Sequence, residues 1–148
     1  MYKPHTSLFP LALALCTASV QAGDVEDAVD YRQGIMNVFH YNVDSMGDMA
    51  KGKKAFDAAA FARNAKDLAA AAQLDVLAGF PEDSLNGESE ASETIWLDWD
   101  GFKAKLKVLR EQSAKLDQVV AGGDEAAMKE QFGKTAKTCK GCHHDFKD

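Results

Sequence analysis

Between Ile95 and Val120 the large apolar residues Ile95, Trp99, Phe102, Leu106, Leu109, Leu116 and Val120 recur at steps of three and four, with Ser113 filling the one gap. That period belongs to one face of an α-helix, because the faces of a strand alternate every two residues. The spacing predicts a helix over residues 94–121 whose stripe must be covered by other elements. Each large side chain so covered contributes roughly 1.5 to 3 kcal/mol. Gly122 and Gly123 stop the helix. The rest of the chain beyond residue 22 is rich in Ala, Leu, Lys and Glu and shows no strand-like alternation, so helices are expected throughout.

A first helix begins near Asp24, with Val25, Val29, Ile35, Met36, Phe39, Val43 and Met46 on its stripe and Arg32 on or beside it, a cation among apolar neighbours. A second runs over residues 57–78, with Phe61, Leu68 and Val76 among many alanines that would let another helix, or a second copy of the chain, approach closely. Asp124 is placed to cap a last helix carrying Met128, Phe132, Thr135, Ala136, Cys139, Cys142, His143 and Phe146 along one side. On that reading both cysteines and the histidine face inward. Residues 79–93 contain Pro81, Gly87 and no period, and read as a long connection. Four helices of about 22 to 28 residues predict an all-α fold, an antiparallel four-helix bundle with one long crossover loop between helices 2 and 3.

Lys3, an apolar stretch over residues 8–16 and the small residues Val20 and Ala22 read as a secretory signal over residues 1–22, too short to span a bilayer. Cleavage is expected after Ala22, which leaves one domain over residues 23–148 and a periplasmic location. Cys16 follows Leu15 rather than a small residue, so no membrane anchor is expected. Without Lys3 the domain holds 16 basic against 23 acidic residues. Nucleic acid and anionic membranes are therefore poor partners.

Cys139-Lys140-Gly141-Cys142-His143 is a C-x-x-C-H motif. Two thiols about one helical turn apart can form thioethers with the two vinyl groups on one porphyrin edge, and the adjacent imidazole can reach the iron. The leading reading is one haem c held by Cys139 and Cys142, with His143 as metal ligand. The alternatives are a redox dithiol, which favours a βαβ setting not seen here, and half of a zinc site, for which only His40 and His144 remain as further histidines.

The motif on the last helix resembles the cytochrome c′ family, as do the run Glu26-Asp27-Ala28-Val29-Asp30-Tyr31-Arg32-Gln33-Gly34-Ile35-Met36 and the pair of Thr94-Ile95-Trp96 with Phe102. The resemblance implies a haem among all four helices near one end of the bundle. Arg32 and Gln33 match positions that contact the haem edge and propionates, although an arginine reaching out to solvent is the alternative. Met36 matches the position over the open iron face. It either blocks that face, leaving a five-coordinate iron that binds NO or CO and passes single electrons, or ligates the iron as in six-coordinate electron carriers, or is a plain core residue. The run from Arg32 to Met36 looks more like the open-face group.

Phe80 resembles an aromatic that packs by the haem, or else covers the core at a helix end. Lys147 stands where many relatives have arginine, and His40 and His144 read as surface residues. Relatives are frequently homodimers, for which the alanine-rich residues 58–72 offer a contact. An acidic protein of this kind would meet a redox partner protein through a basic patch. No nucleophile, base and oxyanion set accompanies the motif, so an enzyme is not expected.

Overall fold

The computed structural model describes residues 22–85 and 89–148, so residues 1–21 of the expected export signal, Cys16 included, lie outside the described residues. Four long helices dominate: α1 Ala22–Ala50, α2 Ala58–Ala72, α3 Trp99–Val120 and α4 Glu125–Phe146. A 3-10 turn, Val76–Gly79, follows α2, and a single helical turn, Thr94–Leu97, precedes α3. The contacts between helices run in opposite senses along each consecutive pair. Arg32 and Ser45 of α1 meet Gly79 and Asn64 respectively, while Lys105 and Gln112 of α3 meet Asp145 and Gln131 of α4. The expected antiparallel bundle with a crossover between α2 and α3 is therefore the architecture observed.

Three aspartates start the later helices. The carboxylate of Asp57 accepts from the Ala60 amide at 2.9 Å, that of Asp98 from Gly101 at 3.1 Å, and that of Asp124 from Ala126 and Ala127 at 2.8 and 3.1 Å. Asp98 also explains a correction. The stripe over residues 94–121 is interrupted because Asp98 leaves helical geometry, at φ −125° and ψ 59°, to cap a fresh helix. Ile95 nevertheless remains buried beneath the preceding turn.

The second helix is also shorter than its pattern implied, ending at Ala72 rather than near residue 78. Arg110 of α3 takes the carbonyls of Ala72 and Leu74 at 2.9 and 3.1 Å, which satisfies chain that has left the helix. Val76 stays in the core from the 3-10 turn. Ala65, Ala69, Ala71 and Ala72 are buried within the chain, so much of the alanine face serves the bundle itself and not a second copy. Ser113, the gap in the α3 stripe, is fully buried and donates to the Arg110 carbonyl at 3.1 Å.

Gly79 lies hard against α1. A Cβ there would stand 2.6 Å from the Cβ of Arg32 and 3.1 Å from its Cα. Neither neighbour can swing away, since the first is bonded directly to backbone and the second is backbone. Gly79→Ala should therefore destabilise the fold by about 1 to 3 kcal/mol, the usual cost of overpacking. Urea denaturation of the variant checks this, and an unchanged midpoint would show that the turn is not seated on α1.

Candidate haem site

One end of the bundle gathers the last turns of α4, the first turns of α3, the crossover and the first half of α1. Cys139 and Cys142 are free thiols, half-buried and packed against the hydrophobic core. His143 is exposed, which corrects the expectation that all three residues face inward. Successive helical residues rotate by about 100°, so the two cysteines straddle the buried side of α4 and the histidine falls at its edge. Among the described residues its imidazole makes no hydrogen bond.

An aromatic wall closes this end. Phe102 of α3 meets Phe80 at 4.8 Å and Phe146 at 5.4 Å between ring centroids, both edge to face, and Trp99 at 5.7 Å. The Trp96 indole donates to the Pro81 carbonyl at 3.0 Å and so holds the start of the crossover against it. Phe80 is buried, as either reading of it required.

Arg32 is 3 % exposed, which removes the alternative of an arginine reaching out to solvent. Its guanidinium donates to the Gly79 carbonyl at 3.0 Å, to the hydroxyl and carbonyl of Ser84, each at 2.8 Å, and to the Ser89 hydroxyl at 2.6 Å. It also lies 5.1 Å from the centre of the Phe80 ring. Burial lowers the pKa of this arginine from its ordinary value. Gln33 is exposed one residue further on, and Met36 is half-buried against the same core cluster as the two cysteines.

The far side of α4 is tied as firmly. Lys105 donates to the Gly141 carbonyl inside the motif at 3.2 Å and pairs with Asp145 at 2.7 Å. The crossover returns to the end of α4 through two backbone bonds, Ser92 amide to Phe146 carbonyl and Asp148 amide to Glu90 carbonyl, both 3.1 Å. Lys147 pairs with Glu90 at 3.0 Å and is thereby engaged with the crossover. Ser84, Ser89, Glu90 and Lys105 were not singled out by the sequence. Only the misplaced cation Arg32 signalled that a polar partner set had to exist nearby.

The electrostatics sort the alternatives. Burial pushes the Cys142 thiol up to about 11, with Lys105 opposing, and burial also raises Cys139. A thiol-exchange centre needs the opposite shift, toward thiolate. Burial lowers the His143 pKa, with Lys147 adding to the effect and Glu90 opposing it. Zinc finds no set either: among the described residues no three His, Cys, Asp or Glu gather. His40 sits exposed at 3.2 Å from Asp44, and His144 at 2.8 Å from Asp145, both as surface residues. Two thiols a turn apart, an imidazole beside them, an aromatic wall and a buried cation fit a porphyrin.

The family model for cytochrome c′ matches residues 27–147. The chain belongs to the cytochrome c′ family. It is 40% identical over 128 residues to the cytochrome c′ of Halomonas halodenitrificans, covering 82% of this chain and 96% of that one. The cytochrome c′ of Shewanella frigidimarina superposes with a TM-score of 0.81 at 36% identity, over 86% of this chain and 99% of that one. A nitric oxide complex of an Alcaligenes xylosoxidans cytochrome c′ variant matches with a TM-score of 0.76 at 28% identity, over 86% and 98%. Cytochromes c′ carry covalently attached haem c, and this chain has Cys139 and Cys142 in its C-terminal region.

Replacing Arg32 by methionine would keep bulk while leaving the Ser84 hydroxyl and two carbonyls without a donor. Stability should fall by about 2 to 5 kcal/mol, and amide exchange over residues 80–85 should accelerate. Unchanged exchange in that segment would mean the crossover is held by something other than this cation.

Proposed function

We propose that this protein is an exported monohaem cytochrome of the electron-carrying cytochrome c′ type. In this reading Cys139 and Cys142 form the two thioethers, His143 supplies the protein ligand to iron, and the opposite face is left for a diatomic gas such as NO or CO. The observation that carries it is the pairing of two half-buried free thiols with an imidazole that has no hydrogen bond among the described residues, at the aromatic end of the bundle. When bound, the haem supplies an iron that exchanges single electrons and can take a small ligand. The chain's own part is to hold that group among Phe80, Phe102 and Phe146, exclude water from it, and present His143 beside the two thiols.

Met36 decides the ligand state. Its place on the stripe between the buried residues Ile35 and Phe39 supports a side chain that crowds the open face with apolar bulk. The nitric oxide complex of the Alcaligenes relative supports gas binding at a site of this kind. The second reading, favoured by the same half-buried thioether packed against the core cluster that the cysteines also touch, is a six-coordinate His143 and Met36 haem that only carries electrons. Arg32, held by four hydrogen bonds, and exposed Gln33 would border the haem edge. The large side chains flanking Met36 on its stripe, Ile35 and Phe39, are apolar, and that favours a carrier over a catalyst of peroxide turnover, which needs a proton donor over the iron.

The residues expected to form a signal favour export to the periplasm, and among the described residues no helix is long and apolar enough to cross a membrane. A homodimer would pair through α1, where Tyr31, Val38 and Tyr41 are exposed on one side. That helix starts with Asp24, Glu26, Asp27 and Asp30 and is followed by Lys51, Lys53 and Lys54, so an antiparallel pairing of two copies matches opposite charges.

The absorption spectrum of the dithionite-reduced holoprotein, recorded before and after CO, tests the proposal. A high-spin spectrum that converts with CO is expected, and Met36→Ala should bind CO more tightly than the parent. A low-spin spectrum unmoved by CO would establish the six-coordinate reading instead. Sedimentation equilibrium should show a dimer that Val38→Glu dissociates; a monomeric parent protein would overturn the α1 interface.

A further inference from the structure

The whole-chain charge of −6 implies a basic partner, but the charge is not spread evenly. Residues 22–98 hold six Lys or Arg against fifteen Asp or Glu, whereas residues 99–148 hold ten against eight. The helices α3 and α4, which include the cysteine motif, therefore form a weakly positive half beside a strongly negative one. On α4 each carboxylate already has a lysine: Glu125 pairs with Lys129, Glu130 with Lys134, and Asp145 with Lys105. Lys137 and Lys140 are exposed, and among the described residues neither has an ion pair. They lie a turn apart on the outward side of α4, on either side of Cys139 in sequence and across the helix from the cysteines, with Lys140 inside the motif.

We infer that the outward strip of α4 marked by Lys137 and Lys140 is the docking surface for an acidic protein partner in electron exchange. The inference rests on the proposed electron-carrying role and names the chemistry of the partner surface. Lysines that have no ion pair among the described residues, on the outer face of the helix whose inner face carries the cofactor attachment point, attract an acidic patch to that helix. The negative half of the molecule repels the same patch and so orients the approach. Two lysines already bound to carboxylates on α4 would add little, which makes Lys137 and Lys140 the informative pair.

The holoprotein, with its haem content read from absorption, is mixed with poly-L-glutamate as a defined acidic probe and treated with carbodiimide, and the coupled lysines are mapped by peptide mass spectrometry. Coupling should concentrate on Lys137 and Lys140 at low salt and disappear by about 0.3 M salt. K137E/K140E should lower probe affinity at least about tenfold with haem content unchanged. Coupling concentrated on Lys51, Lys53 and Lys54 at the end of α1, or affinity unmoved by the double substitution, would overturn the inference. A haem-free product would instead sink the proposed function, while the lysine map would still report on the surface. As a second measure, oxidation of the reduced protein by hexacyanoferrate(III) should slow as ionic strength rises; acceleration would mean that net charge governs the approach.

Discussion

A buried cation that needs partners organises the functional end of this bundle. Arg32 faces inward on α1, where a guanidinium without acceptors would be strongly destabilising. It finds them in a segment more than forty residues away, through Gly79, Ser84 and Ser89. That requirement pulls the crossover over the end of the helices. Once there, the crossover reaches the end of α4 through Ser92 and Glu90, and it meets the indole of Trp96. The glycine at position 79 follows from the same demand, since the turn must approach Arg32 more closely than any Cβ permits. The helix that carries Cys139 and Cys142 is thus held from one side by the crossover and from the other by Lys105.

Most of the fold was legible because its driving force is periodic. The stripes on α1, α3 and α4 mark their buried faces in the sequence, and even Ser113, the one polar interruption, proves to be a core position with a local carbonyl partner. Helix ends were less legible, because they depend on competition between backbone and side-chain bonds. Asp98 lies inside a helical pattern, yet its carboxylate caps Gly101, and the apolar stripe continues across the break without recording it. The end of α2 is set by Arg110, a residue nearly forty positions away.

The site divides in the same manner. Cys139, Cys142 and His143, the proposed attachment points and ligand, stand out by their spacing, and Arg32 by being a charge on an apolar stripe. Ser84, Ser89, Glu90 and Lys105 could not be picked out, because a serine in a polar loop or a lysine on an amphipathic helix looks the same whether or not it has a distant partner. The orientation of His143 was misjudged for a geometric reason. The stripe from Met128 to Phe146 spans a wide arc of α4, and the histidine lies toward its edge. Total composition is also a coarse guide to charge: the net acidity includes a half, residues 99–148, in which lysines outnumber carboxylates.

Covalent attachment of one haem at the end of α4 is the claim on which the rest depends. Intact-mass and peptide mass spectrometry of the protein purified after export tests it most directly. The account predicts a mass increase of one haem, carried by the peptide containing Cys139 and Cys142, on a chain that begins at Gly23. A chain without that increase, or one in which Cys139 and Cys142 are joined to each other as a disulfide, would contradict it.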